Sequence, residues 1–180
     1  MTTLKRETYV ALAVFAAAVI LTALLYKPFG VFAYKIREPY FLSPIKMHES
    51  DIVIRNDSAG DGAYGAKRRG GRSHSGVDIL APLNTPVYAA KSGLAFRGYV
   101  PTGYGKYVMI YHPDGYQTFY AHLSEWACPP VKEIKRGELI GYVGKTGNAS
   151  SKRVLPHLHF EIRKDGAPRD PGKLMKRRNM

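Results

Sequence analysis

KYVMIYHPDGYQTFYA, residues 106–121, sets two apolar and aromatic runs on either side of Pro113-Asp114-Gly115. Tyr, Val, Ile and Phe suit a pleated, half-buried surface, and a Pro-Asp-Gly cluster between such runs is turn chemistry. The stretch predicts an antiparallel hairpin with strands at 106–112 and 116–121.

The same pattern continues outward in both directions. Short runs at 87–90 and 93–100 precede the hairpin, and runs at 139–144 and 157–163 follow it, each bounded by turn residues. Spacings near ten residues, with no long amphipathic helical stretch between them, predict an all-β sandwich or barrel-like domain. Thirteen Tyr, eighteen Gly and twelve Pro in 180 residues fit that class. No repeat at a solenoid period is present. Gly144, Thr146 and Gly147 read as turn chemistry rather than a phosphate loop, because no helix-opening Gly-Lys-Ser/Thr follows them.

Residues 9–26, YVALAVFAAAVILTALLY, carry no charge. As a helix they would span roughly 27 Å, close to the hydrocarbon thickness of a bilayer. Lys5 and Arg6 precede the run, Lys27 follows it, and Tyr9 and Tyr26 stand at the interfacial positions. An uncleaved transmembrane anchor is expected. A cleaved signal peptide has a shorter apolar core, of about 7–15 residues, ending at a small-x-small site; here triplets such as Ala16-Ala17-Ala18 fall inside the run. Secretion after cleavage is the rival, and a mature N-terminus after residue 26 would mark it. The expected organisation is a cytoplasmic N-terminus at 1–8, the anchor at 9–26, a stalk and N-terminal strand region at 27–54, a folded domain at 55–172 and a basic tail at 173–180. Pro28, Pro39 and Pro44 argue against helix in the stalk.

The formal net charge of +13 favours anionic partners such as acidic lipid or cell-wall polymer. Neither basic cluster, Lys67-Arg68-Arg69 or Lys173 to Arg178, interleaves with aromatic residues, so no nucleic-acid partner is expected. The lone Cys128 excludes an internal disulfide, argues against a Cys-ligated zinc site and reads as a small packing residue.

Chemistry gathers in three places: His74-Ser-Gly-Val-Asp78, Tyr120-Ala-His122-Leu123 and His157-Leu-His159. Alternation along a strand puts His157 and His159 on one face, and His74 with Asp78 on one face if their segment is near-extended. His122 would arrive from the end of the hairpin strand. Catalytic zinc takes three protein ligands and keeps a fourth position for water, so four imidazoles and a carboxylate exceed its needs by two. The spare pair can serve as general base and acid or hold an oxyanion. Spacing alone leaves open which of His157 and His159 would bind the ion.

GRSHSGVDI (71–79), YAHLS (120–124), GYVGKTGNAS (141–150) and PHLHFEI (156–162) together resemble the lysostaphin/LytM-type zinc metallopeptidases. The resemblance covers about residues 55–172. It implies a compact antiparallel β-sheet groove with a duplicated hybrid-type core, and one Zn2+ per chain held by His74, Asp78 and His159. It further implies His122 and His157 as catalytic non-ligands, and peptide bonds of bacterial peptidoglycan as the substrate. Metal-assisted amide hydrolysis would follow. The chain would then be a single-pass protein of the cytoplasmic membrane with its domain outside, facing peptidoglycan stem peptides. Related domains that lose metal ligands act as binding modules that activate other wall hydrolases; all five site residues are present here.

Five other residues carry secondary expectations. Glu161 shares parity with His157 and His159, and either orients an imidazole or is an ordinary strand residue. His112 reads as a turn-edge residue, and His48 lies outside the matched region. Asn56 or Asp57, upstream of the site, could fold back onto the open metal position and make the enzyme latent.

Overall fold

The hairpin at 106–121 is present, and it forms the middle of a nine-stranded sheet. The computed structural model describes residues 2–47 and 52–176 and divides into two units, Met1–Pro39 and Tyr40–Met180. His48, Ser50 and residues 177–180 of the basic tail lie outside the described residues.

The first unit is one helix, α1 (Thr2–Arg37). Residues 6–37 are long and apolar enough to cross a membrane, with a mean hydropathy of 2.4 in an 18-residue window. Thr22, inside the apolar run, donates its hydroxyl to the Ala18 carbonyl at 2.8 Å and so satisfies its polar group within the helix. The helix differs from expectation at its far end, where it passes through Pro28 rather than stopping at residue 26. Pro28 removes one backbone donor, but the apolar residues on both sides continue the helical ladder. Helix ends instead next to Glu38, which precedes Pro39 and is disfavoured from helical geometry by the proline ring.

The second unit is built of strands β1 (Phe41–Leu42), β2 (Asn56–Asp57), β3 (Gly60–Asp61), β4 (Val77–Leu80), β5 (Pro86–Tyr88), β6 (Gly93–Val100), β7 (Gly105–Tyr111), β8 (Tyr116–Trp126), β9 (Val131–Ile134), β10 (Leu139–Val143), β11 (His157–Lys164), β12 (Ala167–Arg169) and β13 (Met175–Lys176). The main sheet runs β12-β11-β8-β7-β6-β9, with β4 paired to β11, β10 to β8 and β5 to β10. All these pairings are antiparallel. The predicted all-β class with a large antiparallel sheet and an N-terminal apolar helix is what the fold shows.

Alternation accounts for which face is core. Along β11, Leu158, Phe160 and Ile162 are fully buried with Ile79, Val108, Ile110, Tyr120 and Ile140. Each such side chain contributes roughly 1.5–3 kcal/mol by leaving water. The intervening His157, His159 and Glu161 face the opposite side, onto a cleft. Cys128 is buried in the core, as a small packing residue should be.

The hairpin turn is anchored from beneath. Lys91 and Asp114 form a buried ion pair at 2.6 Å, and Lys164 Nζ donates to the Asp114 carbonyl at 2.5 Å. His112 is buried at the turn edge and bridges the Ser92 carbonyl (2.9 Å) and the Thr118 hydroxyl (3.0 Å).

Candidate metal centre and catalytic cleft

β4 and β11 bring the first candidate ligands together. The pair runs antiparallel with Asp78 directly opposite His159, and Asp78 Oδ1 lies 2.8 Å from His159 Nδ1. His74 reaches the same point from the extended segment ahead of β4, its Nε2 3.0 Å from His159 Nδ1 and 3.2 Å from Asp78 Oδ1. Gly76 lets that segment cross β11 closely. A Cβ there would stand 2.3 Å from the Phe160 carbonyl oxygen. His74, Asp78 and His159 thus offer three ligand atoms within 4.8 Å of one another, all buried.

His122 arrives by a less direct route. Ala121 pairs with His159 and Phe119 with Glu161, so plain alternation would send the next residue, His122, to the core side with Tyr120. The ladder shifts register on both sides of this point, and His122 takes a positive φ of 63°. The bulge re-aims the side chain onto the cleft and lets Leu123 return to the core. His122 N–H donates to the Tyr104 carbonyl at 2.8 Å, which holds the bulge. The ring lies 5.0 Å from that of His157 and 5.7 Å from that of His159.

Each imidazole has one nitrogen committed to an acceptor. His74 Nδ1 donates to the Ala63 carbonyl (2.9 Å), His122 Nδ1 to the Thr146 carbonyl (2.9 Å), and His157 Nδ1 to the Leu155 carbonyl (2.7 Å). His159 Nε2 donates to Glu161 Oε1 (2.8 Å). These partners assign the tautomers and leave the other nitrogen of each ring as an acceptor turned to the cleft. With both rings neutral, His74 Nε2 and His159 Nδ1 would face each other as lone pairs, beside a carboxylate oxygen. Such a set needs positive charge among its members, from a proton or a cation. Ligand atoms bonded to tetrahedral zinc at about 2.0–2.1 Å sit about 3.3 Å apart. The spacings of 2.8–3.2 Å are near that figure, so these three residues fit a zinc ion.

Electrostatics follow the geometry. Burial opposes a charge on His159, but its hydrogen bonds to Asp78 and Glu161 outweigh it and raise its pKa to about 9. Burial would raise the Asp78 carboxyl; its partners His159 and His74 instead hold it well below the usual range. Glu161 is lowered to about 2, its burial overcome by His159, Ser75 and Arg163. His122 goes the other way. Burial and the neighbouring imidazoles push it down to about 3, and burial also lowers His157.

Residues that the sequence reading missed surround this set. Arg55, buried, donates to Asp78 Oδ2 through Nε (3.2 Å) and Nη2 (2.9 Å), which leaves Oδ1 for the cluster. Glu161, which the sequence left between orienting an imidazole and an ordinary strand position, is fully buried, accepts from His159 and also accepts from Ser75 Oγ, Tyr104 Oη (2.9 Å) and Arg163 Nε (2.7 Å). The Arg163 guanidinium also reaches Tyr104 Oη at 2.8 Å. Arg163 had a signal, since it shares the parity of Glu161. Arg55 and Tyr104 had none, because their contacts cross 23 and 57 residues. Asp57 does not fold onto the open side of the cluster. One oxygen takes Arg55 Nη1 at 2.5 Å and the other takes Leu155 N–H at 2.9 Å, while Asn56 is exposed. The five predicted site residues line one cleft of about 750 Å³, walled by Val100 at the end of β6, by Thr102, Gly103 and Tyr104 of the loop after it, by Asn148 and Ala149, and by Arg68 and Arg72.

Residues 72–171, more than half of the chain, match Peptidase family M23, and the chain belongs to that family. Over 101 residues it is 44% identical to the DD-carboxypeptidase/endopeptidase Mpg of Neisseria meningitidis serogroup B, a stretch covering 56% of this chain and 22% of that protein. The fold is similar to a zinc containing peptidase from Vibrio cholerae (TM-score 0.58, 28% identity, covering 73% of this chain and 39% of that one). It is also similar to the catalytic domain of the antimicrobial peptidase lysostaphin from Staphylococcus simulans (TM-score 0.54, 31% identity, 62% and 86%). The resemblance drawn from the sequence motifs is borne out. The chain spans about a fifth of the length of the curated relatives it matches.

Proposed function

We propose that the chain is a zinc-dependent endopeptidase that hydrolyses peptide bonds in bacterial cell-wall peptidoglycan. The observation that carries this reading is the set of four buried imidazoles, each tethered through one nitrogen and presenting the other to a single cleft beside Asp78. Membership of a peptidase family and a relative named for carboxypeptidase and endopeptidase activity support it.

His74 Nε2, Asp78 Oδ1 and His159 Nδ1 would hold one zinc ion. When bound, zinc supplies a water of pKa near 7 and polarisation of the scissile carbonyl. His122 and His157 stand next to this point with Nε2 as acceptor, and burial keeps both neutral at neutral pH. Either ring can take a proton at Nε2 and return it to the leaving amine, and its Nδ1–H stays bound to a backbone carbonyl throughout. Glu161 keeps His159 in the tautomer that offers Nδ1, and Arg55 keeps Asp78 turned so that Oδ1 faces the cluster.

The apolar helix would anchor the chain in the cytoplasmic membrane through residues 9–26, with the domain from about residue 55 on the outer side where the wall lies. Purified sacculi incubated with the protein, with and without a chelator, test the reading by mass analysis of the released fragments. Release of peptide-cleaved fragments that stops with chelation is expected. An intact sacculus under zinc-replete conditions would favour the binding-module reading instead.

A further inference from the structure

We infer that Asp57 is a positioning residue for His157, acting through the backbone of Leu155. His157 donates Nδ1–H to the Leu155 carbonyl at 2.7 Å, and the N–H of that same residue donates to Asp57 Oδ2 at 2.9 Å, across 98 positions of sequence. The other Asp57 oxygen takes Arg55 Nη1, and Arg55 continues to Asp78 Oδ2. Hydrogen bonds therefore link the candidate metal carboxylate through Arg55 and Asp57 to the Leu155 N–H, and the carbonyl on the other side of the Leu155 Cα holds the imidazole whose bare Nε2 lies 3.8 Å from Asp78 Oδ1.

Three features make Asp57 the controlling member. The segment leading into β11 has little packing of its own at this point, because the Leu155 side chain is exposed at 46%. Asp57 is itself fixed, by Arg55 and by the Ala59 N–H at 2.9 Å in the β2–β3 hairpin. Holding the Leu155 N–H also holds the backbone of that residue in place, and with it the carbonyl that accepts from Nδ1–H. That favours the tautomer with Nε2 unprotonated, which is the form able to accept a proton. The inference deepens the proposed peptidase reading and rests on it for its kinetic consequence; its tautomer consequence stands without it.

The test compares Asp57→Ala and Asp57→Asn in the full chain, solubilised in detergent and loaded with zinc. Asp57→Ala should lower kcat on a cross-linked stem peptide about 10–100-fold, with KM and zinc per chain unchanged. In histidine-selective 15N NMR, His157 should pass from a single Nδ1–H tautomer to a mixture. Asp57→Asn preserves size and one acceptor oxygen, so it safeguards folding, and it should give a smaller shift in the same direction. A His157 tautomer identical to wild type in the Asn variant overturns the inference. A wild-type chain inert on the peptide, with a tautomer change still seen in the variants, sinks the peptidase reading and leaves the positioning role standing.

Discussion

Asp78 and His159 face each other across the β4–β11 ladder, and each is held from behind by a residue of opposite charge character. Arg55 occupies Asp78 Oδ2, and Glu161 occupies His159 Nε2. The ligand atoms that meet at 2.8 Å are those these partners leave over. The geometry of the candidate centre is thus set one layer out from it, and its consequences can be measured.

His159→Ala should lose zinc and hydrolysis together, since it removes a ligand atom. His157→Ala should lose hydrolysis while keeping close to one zinc per chain. Metal analysis beside sacculus digestion separates the two. The reverse pattern, with zinc lost only in His157→Ala, would mean that the ligand and non-ligand roles are exchanged.

Glu161→Gln should weaken zinc binding about 10–100-fold, read as a rise in Kd by competition with a chromophoric chelator. The amide oxygen can still accept from His159, but its NH2 would stand in place of Oε2 and oppose the Arg163 guanidinium, whose Nε and Nη2 both reach that oxygen. An unchanged Kd would reduce Glu161 to a strand residue paired with Arg163.

His122 sits at φ 63°, a conformation that costs a non-glycine residue roughly 1–2 kcal/mol. His122→Gly and His122→Ala both remove the imidazole and should both abolish hydrolysis. Only glycine relieves the backbone, so the Gly variant should unfold at higher temperature than the Ala variant, by about 1 kcal/mol in stability. Equal melting temperatures would show that the bulge holds no strain.

Lys91→Ala should destabilise the domain by about 3–5 kcal/mol, because it leaves Asp114 charged and buried. Denaturant unfolding measures this. Lys91→Ala with Asp114→Ala should recover part of the loss, since neither charge is then stranded. A loss below about 1 kcal/mol in the single variant would mean that water or Lys164 compensates the carboxylate.

Much of this architecture was legible in the chain itself, for a reason that is local. The period of two in His157-Leu-His-Phe-Glu-Ile separates cleft from core without reference to any other segment, and Pro113-Asp114-Gly115 turns one strand back on the last. The order of the His and Asp motifs likewise pointed to the M23 family. What the tertiary structure decided is what depends on partners far away in sequence. The bulge at His122 reverses the face that alternation assigns, because the ladders with β7 and β10 slip there. Arg55 and Tyr104 became part of the site only when folding set them against Asp78 and Glu161. Asp57, which the sequence offered only as a residue able to fold back onto the open metal position, acquired its role from a backbone N–H 98 residues away, since a hydrogen bond is specified by position in space and leaves no period in the sequence.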